Sequence, residues 1–145
     1  MTVVYRQASL ADLEVLTGFN AGLQRDQGSP QPLAEATLRQ RMADWLRRGE
    51  YQAILAERDG QPLGYGLYRL EEQVIFLRHL YVVPGVRRQG LGRTFYHHLR
   101  DELWPAGWPV QLNVLAANSR GQAFWAALGF EPYSLTLEQR PTQAH

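Results

Sequence analysis

Residues 74–92 read V-I-F-L-R-H-L-Y-V-V-P-G-V-R-R-Q-G-L-G, and this stretch decides the fold. Ten residues from Val74 to Val83 are apolar apart from Arg78 and His79, so they predict a strand, and Pro84 stops it because proline has no N–H for a ladder. A basic loop with Gly90 and Gly92 follows. Leu91, Phe95, Leu99 and Leu103 then recur every four residues, which predicts a helix with one buried stripe, ended at Trp104-Pro105. A strand that passes through a glycine loop into a helix presents unpartnered backbone N–H groups at the positive end of the helix dipole. That is an anion site in outline.

Working outward, Arg58-Asp59-Gly60-Gln61 lies between two strand-like runs, Tyr51–Glu57 and Leu63–Leu70, and Asp-Gly between such runs predicts a hairpin. Glu71 and Glu72 form the next turn and read as solvated, so residues 51–83 form an antiparallel meander. Upstream, Val3–Tyr5 predicts a first strand. Ser9 and Asp12 have the spacing of a capping box, opening a helix with Leu10, Leu13, Leu16 and Phe19 on one side. Asn20–Pro32 is polar and rich in Gly and Pro and reads as a loop. Ala34–Arg48 predicts a second helix, with Leu38, Met42 and Trp45 or Leu46 inward and arginines outward. Downstream come a strand at Val110–Leu115, a helix from Asn118 or Ser119 carrying Phe124, Ala127 and Leu128 up to Gly129, and a final alternating strand at Ser134–Glu138. The whole predicts an α/β chain of the α+β type, residues 1–145 forming one domain with about four helices on a mixed, mostly antiparallel sheet. If strands 74–83 and 110–115 run parallel and splay beyond Pro84, a slot opens beside the glycine loop.

Composition narrows the chemistry. A net charge of +1 with arginines grouped at Arg87, Arg88 and Arg93 points to a local anion site and not to nucleic acid. Cysteine is absent, which removes disulfides, thiolate nucleophiles and cysteine-ligated zinc, and all 15 basic residues are arginine, which removes lysine Schiff bases and a P-loop lysine. No apolar run reaches the roughly 18 residues that cross a bilayer, and Met1–Tyr5 opens no signal peptide. A cytoplasmic protein without membrane contact is expected.

Arg87-Arg88-Gln89-Gly90-Leu91-Gly92 fits the pattern Gln or Arg, two residues, Gly, one residue, Gly or Ala, and N-S-R-G-Q-A-F-W-A-A-L-G-F follows at residues 118–130. Together they resemble the two acyl-CoA motifs of the GNAT superfamily of N-acetyltransferases. The resemblance implies a GNAT fold with a six- to seven-stranded sheet and splayed central parallel strands. It implies transfer of an acetyl group from acetyl-CoA to the primary amine of a small molecule by direct attack in a ternary complex, without a metal. Tyr81, Val82 and Val83 would pair with the pantetheine arm, and the Leu80 N–H would polarise the thioester carbonyl. The pyrophosphate would lie on Arg87, Arg88, Gln89, Gly90, Leu91, Gly92 and Arg93. Asn118, Gly121, Phe124 and Trp125 would complete the cofactor site.

Two positions depart from the family pattern. Trp125 stands where a Tyr protonates the leaving thiolate, and an indole N–H is no acid; Tyr133 either substitutes for it or packs its ring in the core. Arg78 stands where many relatives carry a Glu that takes the amine proton, and arginine is no base. His79 is either the proton acceptor or a packed core histidine, and in a regular strand it faces away from Arg78, an orientation that a bulge in the splayed strand changes. Arg78 itself either suits an acceptor that carries a carboxylate or a phosphate, or is an exposed strand arginine. Trp45, Tyr65, Tyr68 and Tyr81 line the acceptor pocket or the core, and His97 and His98 diverge too far around a helix to share an ion. Two other readings stand beside the enzyme: a non-catalytic acyl-CoA-binding or regulatory domain, and a protein N-terminal acetyltransferase. A homodimer is expected from many relatives and from the open strand at Tyr133–Gln139.

Overall fold

Two tight turns build the antiparallel half of the sheet. Asp59 and Gly60 (φ 53° and 77°) join β2, Gln52–Arg58, to β3, Gln61–Glu71, and Glu72 and Gln73 (φ 48° and 65°) join β3 to β4, Val74–Val82. Two successive left-handed residues match the twist of the strands they connect. With β1, Val4–Gln7, and β5, Val110–Gln111, they form one five-stranded sheet in the order β1-β2-β3-β4-β5, antiparallel except for the β4–β5 pair. These descriptions come from a computed structural model and cover residues 2–141.

Helices cover both faces. On one, α1 (Leu13–Gln27) and α2 (Glu35–Arg48) bury Leu16, Leu23, Met42 and Trp45 against Leu55, Tyr65, Leu67 and Tyr81. On the other, α3 (Leu91–His98) buries Phe95, Tyr96 and the following Leu99 against Ile54, Ile75 and Leu77. The fourth helix, α4 (Ser119–Ala127), lies over the same side through Trp125 and Leu128. Strand residues therefore alternate between two cores, as a period of two requires. The capping box forms as expected, with Ser9 N–H donating to Asp12 Oδ2 at 2.9 Å.

The structure corrects three expectations. Asn20–Pro32 is not a loop throughout: α1 runs on to Gln27, because Asn20 and Leu23 extend the buried stripe of Leu16 and Thr17, and the turn comes at Gly28, φ 66°. The stripe after Gly92 loses its last member. Leu99–Leu103 is a π-helical turn, closed by Trp104 N–H to Leu99 O at 2.9 Å, and the extra residue rotates Leu103 outward while Trp104 is buried in its place. Among the described residues the sheet has five strands and not six or seven. Beyond Gln111 the run to Leu115 has no ladder, and Ser134–Glu138 is exposed chain; its alternating pattern found no strand edge to satisfy its backbone.

Candidate active site

The centre of the site is a fault in the β3–β4 ladder. Leu67 pairs with His79, but Tyr68 pairs with Leu77, so Arg78 is the extra residue of a β-bulge. The opposite facing of Arg78 and His79 expected of a regular strand does not hold at this bulge. Both turn to the α1/α2 side, where the Arg78 guanidinium carbon lies 4.8 Å from the centre of the Trp45 ring and the His79 ring meets the same indole edge-on at 6.0 Å.

The bulge also marks where β4 loses its outer neighbour. Among the described residues β5 pairs only with Ile75 and Phe76, and from Leu77 to Val82 that edge faces no strand. Val83 N–H donates inward to Leu63 O at 2.8 Å, and strand alternation therefore turns the N–H and C=O of Leu80 and Val82 to the open edge. Val82 O already accepts from Arg87 Nε at 2.9 Å. The Arg87 guanidinium also pairs with Asp26 on α1, so this residue ties the strand end to a helix and is not a free phosphate ligand. Arg88, Gln89 and Arg93 remain exposed. Arg88 and Gly90 have φ of 69° and 76°, and Gly90 is the N-cap of α3, whose first N–H groups have no partner within the helix. An unpaired strand edge running into a left-handed turn and a helix start fits an extended, hydrogen-bonding ligand that ends in phosphates.

The two sequence motifs meet in space. A Cβ on Gly92 would lie 3.4 Å from the Phe124 ring, so the small residue lets α4 sit against the start of α3. Asn118 caps α4, its Oδ1 accepting from Gly121 N–H at 2.9 Å, and a Cβ on Gly121 would strike the Asn118 amide at 2.4 Å. That accounts for both residues structurally and leaves the Asn118 N–H groups available. Trp125 packs edge-on against Phe124, Tyr96 and Phe130, with ring centres 4.8, 5.8 and 5.1 Å away, in a core role. Tyr133 is 85% exposed because the strand expected beyond it does not form; its ring stands in solvent, neither in the core nor gathered into the cleft.

On the α1/α2 side, Tyr65 and His79 are buried and share a hydrogen bond, Tyr65 Oη to His79 Nδ1 at 2.8 Å. Burial, then the nearby charges of Arg78 and Arg41, push the His79 pKa down to about 3. His79 is thus neutral at pH 7 and a weak proton acceptor, a core histidine in this structure. Burial likewise holds the Tyr65 hydroxyl well above its usual range. The Arg78 side chain reaches Tyr51 Oη at 3.4 Å. The sequence marks Arg41 only as one of the outward arginines of α2. Its guanidinium carbon lies 4.6 Å from the Trp45 ring centre, one helical turn away, and that i, i+4 pairing was the signal that could have revealed it. Of the aromatics expected here, Tyr68 lies on the other face against Trp104. Among the described residues no three His, Cys, Asp or Glu side chains gather to hold a metal, and no helix is long and apolar enough to cross a membrane.

This fold, a mixed sheet whose parallel strands β4 and β5 part beside a glycine turn, is shared with known acetyltransferases. Residues 20–130 match the Acetyltransferase (GNAT) family model, and the chain belongs to that family. Over its full length it superposes on a possible acetyltransferase from Clostridium difficile 630 with a TM-score of 0.80 at 14% identity, covering 99% of this chain and 100% of the other. It also superposes on the PaiA N-acetyltransferase of Thermoplasma acidophilum in complex with coenzyme A, with a TM-score of 0.76 at 19% identity over 94% of each chain. In sequence it is 36% identical over 74 residues to the ribosomal protein bS18-alanine N-acetyltransferase of Escherichia coli strain K12, a match covering 50% of this chain and 49% of that protein. The chain thus spans about half the length of the curated relatives it matches.

Proposed function

We propose that the protein is an N-acetyltransferase that moves an acetyl group from acetyl-CoA to the primary amine of a small molecule. The observation that carries this is the open edge of β4 after the bulge, continuous with the turn at Arg88–Gly90 and the start of α3. Acetyl-CoA supplies the activated acetyl group as a thioester. Along the open edge, Val82 borders the pantetheine arm, the Leu80 N–H donates to the thioester oxygen, and Arg88, Gln89 and Arg93 with the α3 N–H groups hold the phosphates, whereas Tyr81 and Val83 turn their polar backbone to β3 and do not pair with the arm. Attack by the neutral amine forms the C–N bond as the C–S bond breaks. The thiolate leaves with little need of an acid, since a thiol pKa is about 8.5. With Trp125 an indole, Arg78 a cation and His79 a weak base, the amine proton passes to water in the cleft. General acid–base help is worth about 10² to 10⁴ in rate, so its loss slows the reaction without removing the contribution of proximity.

The test is thiol release from acetyl-CoA with a mixed panel of amines, followed by mass spectrometry of the products. Acetylated amines with stoichiometric thiol are expected. Tight acetyl-CoA binding without turnover would replace the enzyme by an acyl-CoA-binding domain. The 36% identity to a protein alanine acetyltransferase favours a second reading, acetylation of a protein N-terminus. Turnover of an Ala-started peptide but of no free amine would select it.

A further inference from the structure

Arg41 on α2 and Arg78 at the β4 bulge belong to different elements yet rest on the same indole, at 4.6 and 4.8 Å from its centre. Their guanidinium carbons are therefore no farther apart than these two distances combined. An oxyanion bridged by two guanidiniums sets them about 8 Å apart, within that limit. Among the described residues, neither forms an ion pair with a carboxylate, although Arg6, Arg39, Arg69, Arg87 and Arg140 all do. Arg41 is half-buried, and its Nε is buried without a hydrogen-bond partner. Arg78 is exposed and Arg41 is not, so the cost of an unpaired cation with an orphaned donor falls on Arg41, and stacking on Trp45 explains the position of both side chains but not the missing counter-charge. Tyr51 Oη adds a polar atom beside Arg78, and the pair stands on the same face as His79, immediately beside the bulge where the open edge begins.

We propose that Arg41 and Arg78 together bind an oxyanion of the acceptor, a carboxylate or a phosphate, so that the substrate is a primary amine carrying such a group. This rests on the acetyltransferase reading and adds the substrate class and Arg41. The two guanidiniums orient the acceptor by its anionic end, and the rigid indole fixes their spacing.

The experiment compares matched pairs of amines: an amino acid with its amide, and phosphoethanolamine with ethanolamine. It uses wild type, R41Q, R78Q and the charge-keeping R41K. In wild type, kcat/KM for the anionic member exceeds that of its neutral partner by about 10-fold or more, the scale of one charge-assisted contact. R41Q and R78Q bring the pair to near parity by raising the acceptor KM, R41K restores part of the preference, and the KM for acetyl-CoA stays unchanged. The carboxylate and phosphate pairs separate the two sources of the oxyanion. A wild type that prefers neutral amines, or variants that lose both members equally, would overturn the proposal. Melting temperatures measured with acetate or inorganic phosphate at constant ionic strength give a second readout. A rise in wild type that R41Q and R78Q abolish supports the anion site even if no amine is acetylated, in which case only the acetyltransferase reading falls. Acetylation without anion preference leaves that reading standing and removes this one.

Discussion

Lowering the pH should destabilise this protein well before its carboxylates titrate, and the cause is one ring. The His79 pKa lies at about 3 in the fold, against 6.5 for an exposed histidine, chiefly through burial. A depressed folded pKa means that below pH 6.5 the unfolded chain takes up a proton that the native protein refuses. The stability is therefore complete above pH 6.5 and is lost progressively as the pH falls toward 3. Each pH unit in that interval is worth 1.36 kcal/mol, so the loss between pH 7 and pH 5 is about 2 kcal/mol. Urea unfolding followed by tryptophan fluorescence at half-unit steps from pH 7.5 to 5 measures it, with His79→Gln as the comparison, since glutamine can still accept from the Tyr65 hydroxyl but does not titrate. The expected result is a wild-type slope in this window that the variant lacks. Equal slopes for both proteins, or no slope in wild type, would refute the argument that His79 is buried and neutral.

Further expectations concern other parts of the molecule. Gly64→Ala should cost about 3 kcal/mol or more by urea unfolding, because the new Cβ meets the Tyr81 carbonyl oxygen at 2.1 Å and backbone atoms cannot step aside. Arg87→Ala removes the link from the β4 end to Asp26 and should weaken acetyl-CoA binding by about 10-fold, measured by calorimetry, by loosening the turn that follows. Trp125→Phe should leave kcat within about threefold while lowering stability by about 1 kcal/mol, because the ring packs and does not donate a proton. Tyr133, Leu135 and Leu137 are 85%, 82% and 88% exposed, and we expect them to be covered by a second copy. Light scattering should give a dimer that Leu135→Lys with Leu137→Lys converts to monomer; a wild-type monomer would refute this.

Local periodicity made most of this architecture legible. The Asp59-Gly60 hairpin, the helix over 35–48 and the strand–loop–helix from Val74 all depend on neighbours in sequence, and they formed where the pattern placed them. What escaped were departures from regular periods. The extra residue at Arg78 is visible only once β4 is laid against β3, and it decides which way the two most chemically suggestive side chains point. The π turn at Leu99–Leu103 is the same kind of event in a helix. In the candidate site, the glycine turn was readable because its chemistry is backbone and contiguous. Arg41 was not, because its significance comes from a strand 37 residues later in the chain that shares Trp45 with it.

The unpaired edge of β4 has a consequence for how the molecule holds together. Its C-terminal third touches the rest of the sheet through a two-residue β5 and through side chains, not through a continuous ladder. A ligand that hydrogen-bonds along residues 80–83 would act as a surrogate strand and rivet the two halves across the gap. Amide hydrogen exchange in residues 110–130 should then slow on acetyl-CoA binding as much as in the turn that holds the phosphates, making the family's donor substrate part of the protein's scaffolding.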